Sequence, residues 1–398
     1  MIASLFGLTG ICVTFRHLSF KHTASYSIHF SASSLRAKYL HSILNPRKVI
    51  AISLRTNKRS VMNNPITQTR EIHLASRPEG MPSVDNFALV NKSLAPLADG
   101  QVLIKNLWMS VDPYMRGRMV DRKSYIAPFA LNQVLEGGAI GEVIASKNNE
   151  FPVGTKVSSM LGWREHAVTD TDGLTALPQT ELDSSHFLGV LGMPGMTAWT
   201  GLTRIANLKA GETLFVSAAS GAVGSVACQL GKLMGARVIA SVGSDEKAQL
   251  LQSYGVDSII NYKTCGDLTQ ALAKAAPEGV DVYFENVGGE HLAAALSNMK
   301  DHGRIAVCGM ISLYNESTPT AGPDNLSLIV MRKLKLEGFI VFEHWDQYPE
   351  FAAKMAQWLA EGKVQAEQTI YQGIEQAPDA FIGLFEGKNR GKMLVKLA

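Results

Sequence analysis

From residue 66 to about 187, apolar and polar positions alternate over short stretches cut by Gly, Pro and Asp. Examples are GQVLIKNLWMSVD (100–112), GGAIGEVIAS (137–146) and PVGTKVSSMLGWREHAV (152–168). A period of two turns one side of each stretch inward, so this region is expected to form a β-rich domain of short strands and turns. From about residue 188 the pattern changes. Apolar runs at ETLFVSA (212–218), ARVIASV (236–242), DSIINY (257–262), VDVYFENVG (280–288) and GRIAVCG (303–309) are separated or followed by helical stretches at 221–234, 245–254, 289–299 and 347–361. Strands apolar on both faces, alternating with amphipathic helices, predict an α/β fold with a parallel, doubly wound sheet. The final stretch, 367–398, returns to strand-like character in QTIYQGI and GKMLVKL and is expected to rejoin the first domain. The expected organisation is a leader at 1–61, a β-rich domain at 62–187, an α/β domain at 188–366 and a C-terminal return at 367–398.

One strand–turn–helix–strand unit carries candidate chemistry. In Ala219-Ser220-Gly221-Ala222-Val223-Gly224 the second and third glycines of a dinucleotide fingerprint are Gly221 and Gly224, and Ala219 stands where the first is expected. Gly221 would let the backbone approach a pyrophosphate, Gly224 would allow close helix–strand packing, and the first amides of the following helix would supply an anion site. A degenerate glycine motif gains weight from its position between two apolar strands. The next strand ends in Ser241-Val242-Gly243-Ser244, without the carboxylate that usually holds the ribose hydroxyls of NAD. Asp245 and Glu246 follow Ser244 as acids of a capped first helical turn, which leaves Lys247 to reach a ribose phosphate or to stand as a surface lysine. The missing acid favours NADPH.

Composition narrows the class. With 46% hydrophobic and 18% charged residues, the 398-residue chain reads as a soluble globular protein with room for two domains. Of the formal net charge of +3, residues 1–61 contribute +9 and the remainder −6, so the body carries no basic stripe suited to nucleic acid. The leader is too short in apolar length to span a bilayer. It is read as upstream sequence with Met62 as the start, so that a chain beginning there would be complete and cytoplasmic. The alternative is an organelle transit peptide, since the leader is Ser-rich, Arg-containing and free of acids. Cys12, Cys228, Cys265 and Cys308 show no paired spacing, which argues against a disulfide framework and for a reducing compartment.

AASGAVGSVACQLGKLMGARVIASVGSDEK, FENVGGE, CGMISLYN, NRGKMLVKL, MSVDPYMRGRM (109–119) and GMPGMTAWTGL (192–202) together resemble the medium-chain dehydrogenase/reductase superfamily. Within it they look like the zinc-independent prostaglandin reductase and leukotriene hydroxydehydrogenase branch, and the likeness extends to bacterial NADPH-dependent curcumin reductases. The resemblance covers nearly all of 66–398, and the leader has no counterpart in it. It implies a GroES-like catalytic domain beside a Rossmann-type sheet, and a homodimer. It implies that Lys247 and Tyr262 contact the adenosine-side phosphate, that Gly221 and Val223 lie along the pyrophosphate, with Ala222 and Gly224 in the same cofactor-binding turn, and that Met196, Thr197, Asn286 and Asn389 border the cofactor. Taken as residues alone, Tyr262 could equally be a strand-end packing group and Asn286 a turn former.

Zinc-dependent relatives need Cys and His ligands. This chain has Ser110 in MSVD and no histidine in EGGAIGEV (136–143) at the corresponding places, so no metal is expected. Without zinc to lower an alcohol pKa, the expected reaction is reduction of an activated carbon–carbon double bond. Hydride would add to the β-carbon of an α,β-unsaturated ketone or aldehyde, and the carbonyl oxygen would need a donor while the α-carbon needs a proton. Tyr114, Tyr125 and Tyr314 are the candidate donors in the stretches that resemble the family's substrate cleft, with Arg116 positioning substrate or cofactor. Tyr125, in DRKSYIAPF, is the first choice. A quinone reductase of the same fold, and a non-catalytic NADPH-binding or structural protein, are the alternatives. An enone is the expected small-molecule partner, and neither a membrane nor nucleic acid is expected.

Overall fold

The alternation in VLIKNLWMS buries Val102 and Ile104 in one apolar cluster and, past an irregularity between Asn106 and Trp108, Met109 in another. The computed structural model of the chain describes residues 66–398, so the expectations for the leader at 1–61 and for a start at Met62 lie outside the described residues. Strands β1 (Gln68–Leu74) and β2 (Phe87–Ser93) form an antiparallel pair. Strand β3 (Val102–Ser110) is followed by a short helix α1 (Tyr114–Arg118), then by β4 (Ala139–Ser146), β5 (Lys156–Ser159), β6 (His166–Thr169) and β7 (Thr175–Ala176).

Helix α2 (Met193–Thr200) leads into the α/β half. There β8 (Thr213–Val216), α3 (Gly224–Leu233), β9 (Arg237–Val242), α4 (Asp245–Ser253), β10 (Ser258–Asn261), α5 (Leu268–Ala275), β11 (Val280–Glu285), α6 (Gly289–Asn298) and β12 (Met299–Val307) alternate. Helix α7 (Leu328–Met331) and strand β13 (Lys335–Gly338) close the run, and α8 (Tyr348–Ala360) follows. All six strands are parallel, in the order β10-β9-β8-β11-β12-β13. This is the doubly wound order with its reversal between β8 and β11, where ligands of such sheets bind. Both faces are covered. Leu214, Val216, Val238 and Ala240 pack toward Val226 and Leu230, whereas Phe215, Ile239 and Tyr283 pack toward Leu272, Leu292 and Leu296.

The chain then returns. Strand β14 (Gln368–Gln372), helix α9 (Ala377–Phe385) and strand β15 (Lys392–Lys396) complete it. β15 lies antiparallel to β3 and parallel to β14, within a seven-stranded sheet that also holds β4, β5, β6 and β7. The core of this half joins Met109, Met115, Trp163 and Met393 to Phe381 of α9.

Several elements differ from the sequence reading. Helices α1, α2, α5 and α7 and strand β13 were not among the segments read, and α9 lies inside the stretch read as strand-like. In α9 the apolar residues of APDAFIGLF face a single core, and Pro378 sits in the first turn, where its missing N–H costs nothing. Strand β13 is partly exposed at the sheet edge, so its short KLEG sequence carries little apolar signal.

Candidate active site

Strand β8 runs directly into the Gly-containing turn. Ala218 there has φ +46°, a left-handed conformation that costs energy for any residue with a Cβ. The special backbone position is therefore one residue before Ala219. Ala219 itself is fully buried and donates its N–H to the Ser241 carbonyl at 3.1 Å, so it has no need to be glycine. The Gly221 N–H closes the turn on the Ala218 carbonyl at 3.0 Å. Gly224 opens α3 so close to the turn after β8 that a Cβ there would run into the Ala218 carbonyl and lie 2.8 Å from the Ala219 Cα. Ala222, Val223 and Gly224 thus stand at a helix start, where amides lack intrahelical acceptors and suit a pyrophosphate.

Beyond β9, Ser244 caps α4, its hydroxyl accepting from the Lys247 N–H at 3.4 Å, with Asp245 and Glu246 in the first turn. The Lys247 ammonium donates to the Gly387 carbonyl at 2.7 Å. Burial, and then the Lys263 ammonium nearby, hold its pKa below the usual lysine range. Tyr262 is 40% exposed, with its ring 5.0 Å from His291 and its hydroxyl against Gly243. Two mutually repelling ammonium groups at the end of β9 and β10 fit a ribose phosphate, which would relieve their repulsion. Lys263 escaped the sequence reading, although it follows Tyr262 directly at a strand end.

At the end of β11, the fully buried Glu285 carboxyl collects the Tyr283 hydroxyl (2.7 Å), the Ser217 hydroxyl (3.2 Å) and the amides of Val287 (2.6 Å) and Gly288 (2.9 Å). All four fall on Oε1, and Oε2 has no partner among the described residues. Burial outweighs the four donors and raises the Glu285 pKa above the ordinary value. Asn286 donates its N–H to the Ser217 hydroxyl (2.9 Å) and its side-chain amide to the Ser217 carbonyl (2.8 Å), tying the ends of β11 and β8 together at the reversal point. The Glu285–Ser217–Tyr283 cluster was also missed by the sequence reading. Its signal was an acid directly after the apolar run Val282–Phe284. The neighbouring Cys308 thiol is pushed up to about 12, by burial first and Glu285 second.

The C-terminal return is fastened to the same turn. The Gly391 N–H donates to the Ser220 carbonyl at 2.8 Å, and Asn389 donates to the Gly391 carbonyl at 3.1 Å beside Gly221. Lys392 is almost wholly buried. Its ammonium donates to the carbonyls of Val111 and Met393, both at 2.8 Å, and lies 3.2 Å from Asp112, which also accepts from Ser110. Removing one partner of such a buried pair is costly because the other charge is stranded.

On the substrate side, Tyr125 is 60% exposed on the loop after α1. Tyr314 is half-buried beyond β12, with its hydroxyl turned toward Gly309. The two come from different halves of the molecule, yet each lies near enough to Cys308 to feel it, and Tyr314 also feels Tyr125. Burial raises the pKa of both phenols, so both stay protonated at neutral pH. Tyr114, on α1, is more deeply set, and burial, then Asp112, pushes its phenol well up. Arg116 is buried, and its guanidinium bonds are to protein groups: Asn315 and the carbonyls of Pro78 and Gly80. Met196 and Thr197 are buried in α2, where the Thr197 hydroxyl bonds back to the Met193 carbonyl at 2.8 Å.

Residues 70–177 match the family described as the N-terminal domain of oxidoreductase, and residues 222–358 the family described as zinc-binding dehydrogenase. The chain is 42% identical over 335 residues to prostaglandin reductase 1 of Mus musculus, spanning 83% of this chain and 100% of that protein. It is 40% identical over 331 residues to the NADPH-dependent curcumin reductase of Escherichia coli, spanning 82% and 96% of the two. Among solved structures, CurA of Vibrio vulnificus in complex with NADPH matches with a TM-score of 0.79 and 44% identity, over 83% of this chain and 99% of that one.

Proposed function

From the premise that this chain belongs to the medium-chain dehydrogenase/reductase superfamily, in its prostaglandin and curcumin reductase branch, we infer that it reduces the carbon–carbon double bond of α,β-unsaturated ketones and aldehydes with NADPH. NADPH supplies the hydride when bound. The residues of the chain do the rest. Gly221 to Gly224 receive the pyrophosphate, Lys247, Tyr262 and Lys263 the ribose phosphate, and Asn286 and Asn389 border the cofactor. The Tyr125 and Tyr314 hydroxyls donate to the carbonyl oxygen as negative charge develops there, and one of them delivers the proton to the α-carbon. The observation that carries this reading is the Gly221–Gly224 helix start at the reversal point of the parallel sheet, to which the Gly391 N–H fastens the C-terminal return.

We take 188–366 as the cofactor domain, and 62–187 with the return 367–398 as the GroES-like substrate domain. Support comes from the six parallel strands falling between Thr213 and Gly338, and from β15 pairing with β3. Catalysis needs no zinc in this reading. One matching family is described as zinc-binding, but Ser110 and residues 136–143 offer no thiolate or imidazole here. Among the described residues no three His, Cys, Asp or Glu side chains gather as metal ligands. We also propose a homodimer joined at the β13 edge, where Val330 (80% exposed), Met331 (68%) and Phe342 (56%) leave an apolar border beside unpaired strand groups. The free thiols of Cys228, Cys265 and Cys308 favour a reducing compartment such as the cytoplasm.

The test is NADPH consumption over a panel of enones of increasing bulk, with the product identified by mass and by retention of its carbonyl. The expected product is the saturated ketone or aldehyde. Turnover confined to quinones, or formation of an allylic alcohol, would overturn the reading.

A further inference from the structure

The loop that carries Tyr314 is held from two sides. On the cofactor side, the Ile311 and Ser312 amides donate to the carbonyls of Asn286 and Val287, both at 3.1 Å. On the other side the loop is gripped through the side chain of Asn315. Its side-chain oxygen accepts from Arg116 Nε at 3.0 Å, and its amide nitrogen lies 3.1 Å from Met81 Sδ. Both partners belong to the β-rich half, 199 and 234 residues away in the chain. Arg116 is itself anchored there, donating through Nη2 to the Gly80 carbonyl at 2.8 Å and the Pro78 carbonyl at 3.3 Å. Its Nη1 is buried without a partner among the described residues. After Asn315 the chain runs through the exposed ESTPTAGPD until Asn325 is fastened to the Ala293 carbonyl and the Ser297 hydroxyl, both at 2.8 Å.

We propose that Arg116 and Asn315 form a latch between the two halves of the molecule, which positions Tyr314 and sets how bulky an enone the cleft admits. The proposal rests on the enone reductase reading. A charged donor on a neutral acceptor makes a bond stronger than one between two neutral groups, yet without the attraction of an ion pair. Such a bond can yield when substrate enters and re-form around it, as a gating contact must. Arg116 and Asn315 are positioning residues here, acting through Tyr314.

Two variants bracket the latch. Asn315→Ala releases it, and Asn315→Asp converts it into an ion pair. Both are measured with saturating NADPH on small and bulky enones, alongside NADPH affinity by fluorescence. Asn315→Ala is expected to raise KM for small enones about tenfold, the equivalent of one lost hydrogen bond of this kind, and to narrow the gap between small and bulky substrates. Asn315→Asp is expected to widen that gap and to lower kcat as product release slows. NADPH affinity should stay unchanged in both. A second readout is independent of turnover: proteolysis within 316–324 should be faster in Asn315→Ala and slower in Asn315→Asp than in the unaltered protein. Unchanged size selectivity in both variants overturns the proposal, as does an equal loss of NADPH affinity, the mark of general structural damage. If the unaltered protein reduces no enone, the enone reading fails, and the proteolysis comparison alone decides whether the latch exists.

Discussion

The two walls of the crevice are built by opposite means. On the cofactor wall, Glu285, Ser217 and Asn286 lock strand ends together, and Gly224 lets α3 start directly against the backbone of the turn at Ala218 and Ala219. On the substrate wall, the Tyr125 side chain is 60% exposed, on a loop flanked by exposed Arg122, Lys123 and Ser124. A dinucleotide is the same ligand at every turnover, so its wall can be preorganised by buried polar bonds and close backbone contact. Substrates that vary in shape are better served by large side chains with free hydroxyls. The contrast predicts that small changes will be severe on the first wall and mild on the second, except where chemistry is touched.

Gly224→Ala should have the largest effect. The added methyl meets backbone rather than a movable side chain, so the turn itself must shift. NADPH affinity is expected to fall at least tenfold, a loss of about 1.4 kcal/mol or more, together with a lower Tm. Titration with NADPH and a thermal melt check this, and a variant that binds normally would break the contrast at its root.

Tyr125→Phe comes next. It removes one hydroxyl and keeps the ring, so turnover should fall at least tenfold, toward the roughly hundredfold typical of a lost oxyanion donor. NADPH affinity should barely move. A silent Tyr125→Phe with a slow Tyr314→Phe would transfer the donor role across the cleft, and two silent variants would remove tyrosine from the mechanism.

Lys247→Glu tests the phosphate corner. It should raise the Michaelis constant for NADPH several-fold and leave that for NADH nearly unchanged, since only NADPH carries the extra phosphate. In the unaltered protein, NADPH affinity should weaken as pH rises through the lowered Lys247 pKa, earlier than for an ordinary lysine. Equal losses with both cofactors would point to damage of the α4 cap instead.

Glu285→Gln gives a smaller, pH-dependent shift. The folded-state pKa of Glu285 is raised, so the stability linked to its proton is present below the ordinary glutamate range. That stability is lost as pH rises through the raised value. The neutral variant should therefore gain on the unaltered protein as pH increases, read as a Tm difference that is larger at pH 8 than at pH 5. Smallest of all is Gly117→Ala on the substrate side. Gly117 lies in α1 with nothing within 4 Å of an added Cβ, and the change should stabilise by at most ~1 kcal/mol.

The parallel α/β class, the Gly221–Gly224 turn and the absent acid after β9 were all legible along the chain. Each depends on a backbone shape or residue type within a window of about ten residues, where periodicity and side-chain chemistry act directly. That Ala218, and not Ala219, takes the left-handed conformation is not legible in the sequence, because the two look alike until the Ser241 carbonyl decides which is buried. Strand β13 and helix α9 escaped because each owes its form to neighbours that supply the missing face. The Lys392–Asp112 pair, the Gly391–Ser220 bond and the Arg116–Asn315 contact belong to tertiary structure alone. Their partners lie far apart in the chain, so no local preference specifies them. They form only once burial of separate cores has brought the two halves together, and it is there that the chemistry of the cleft is assembled.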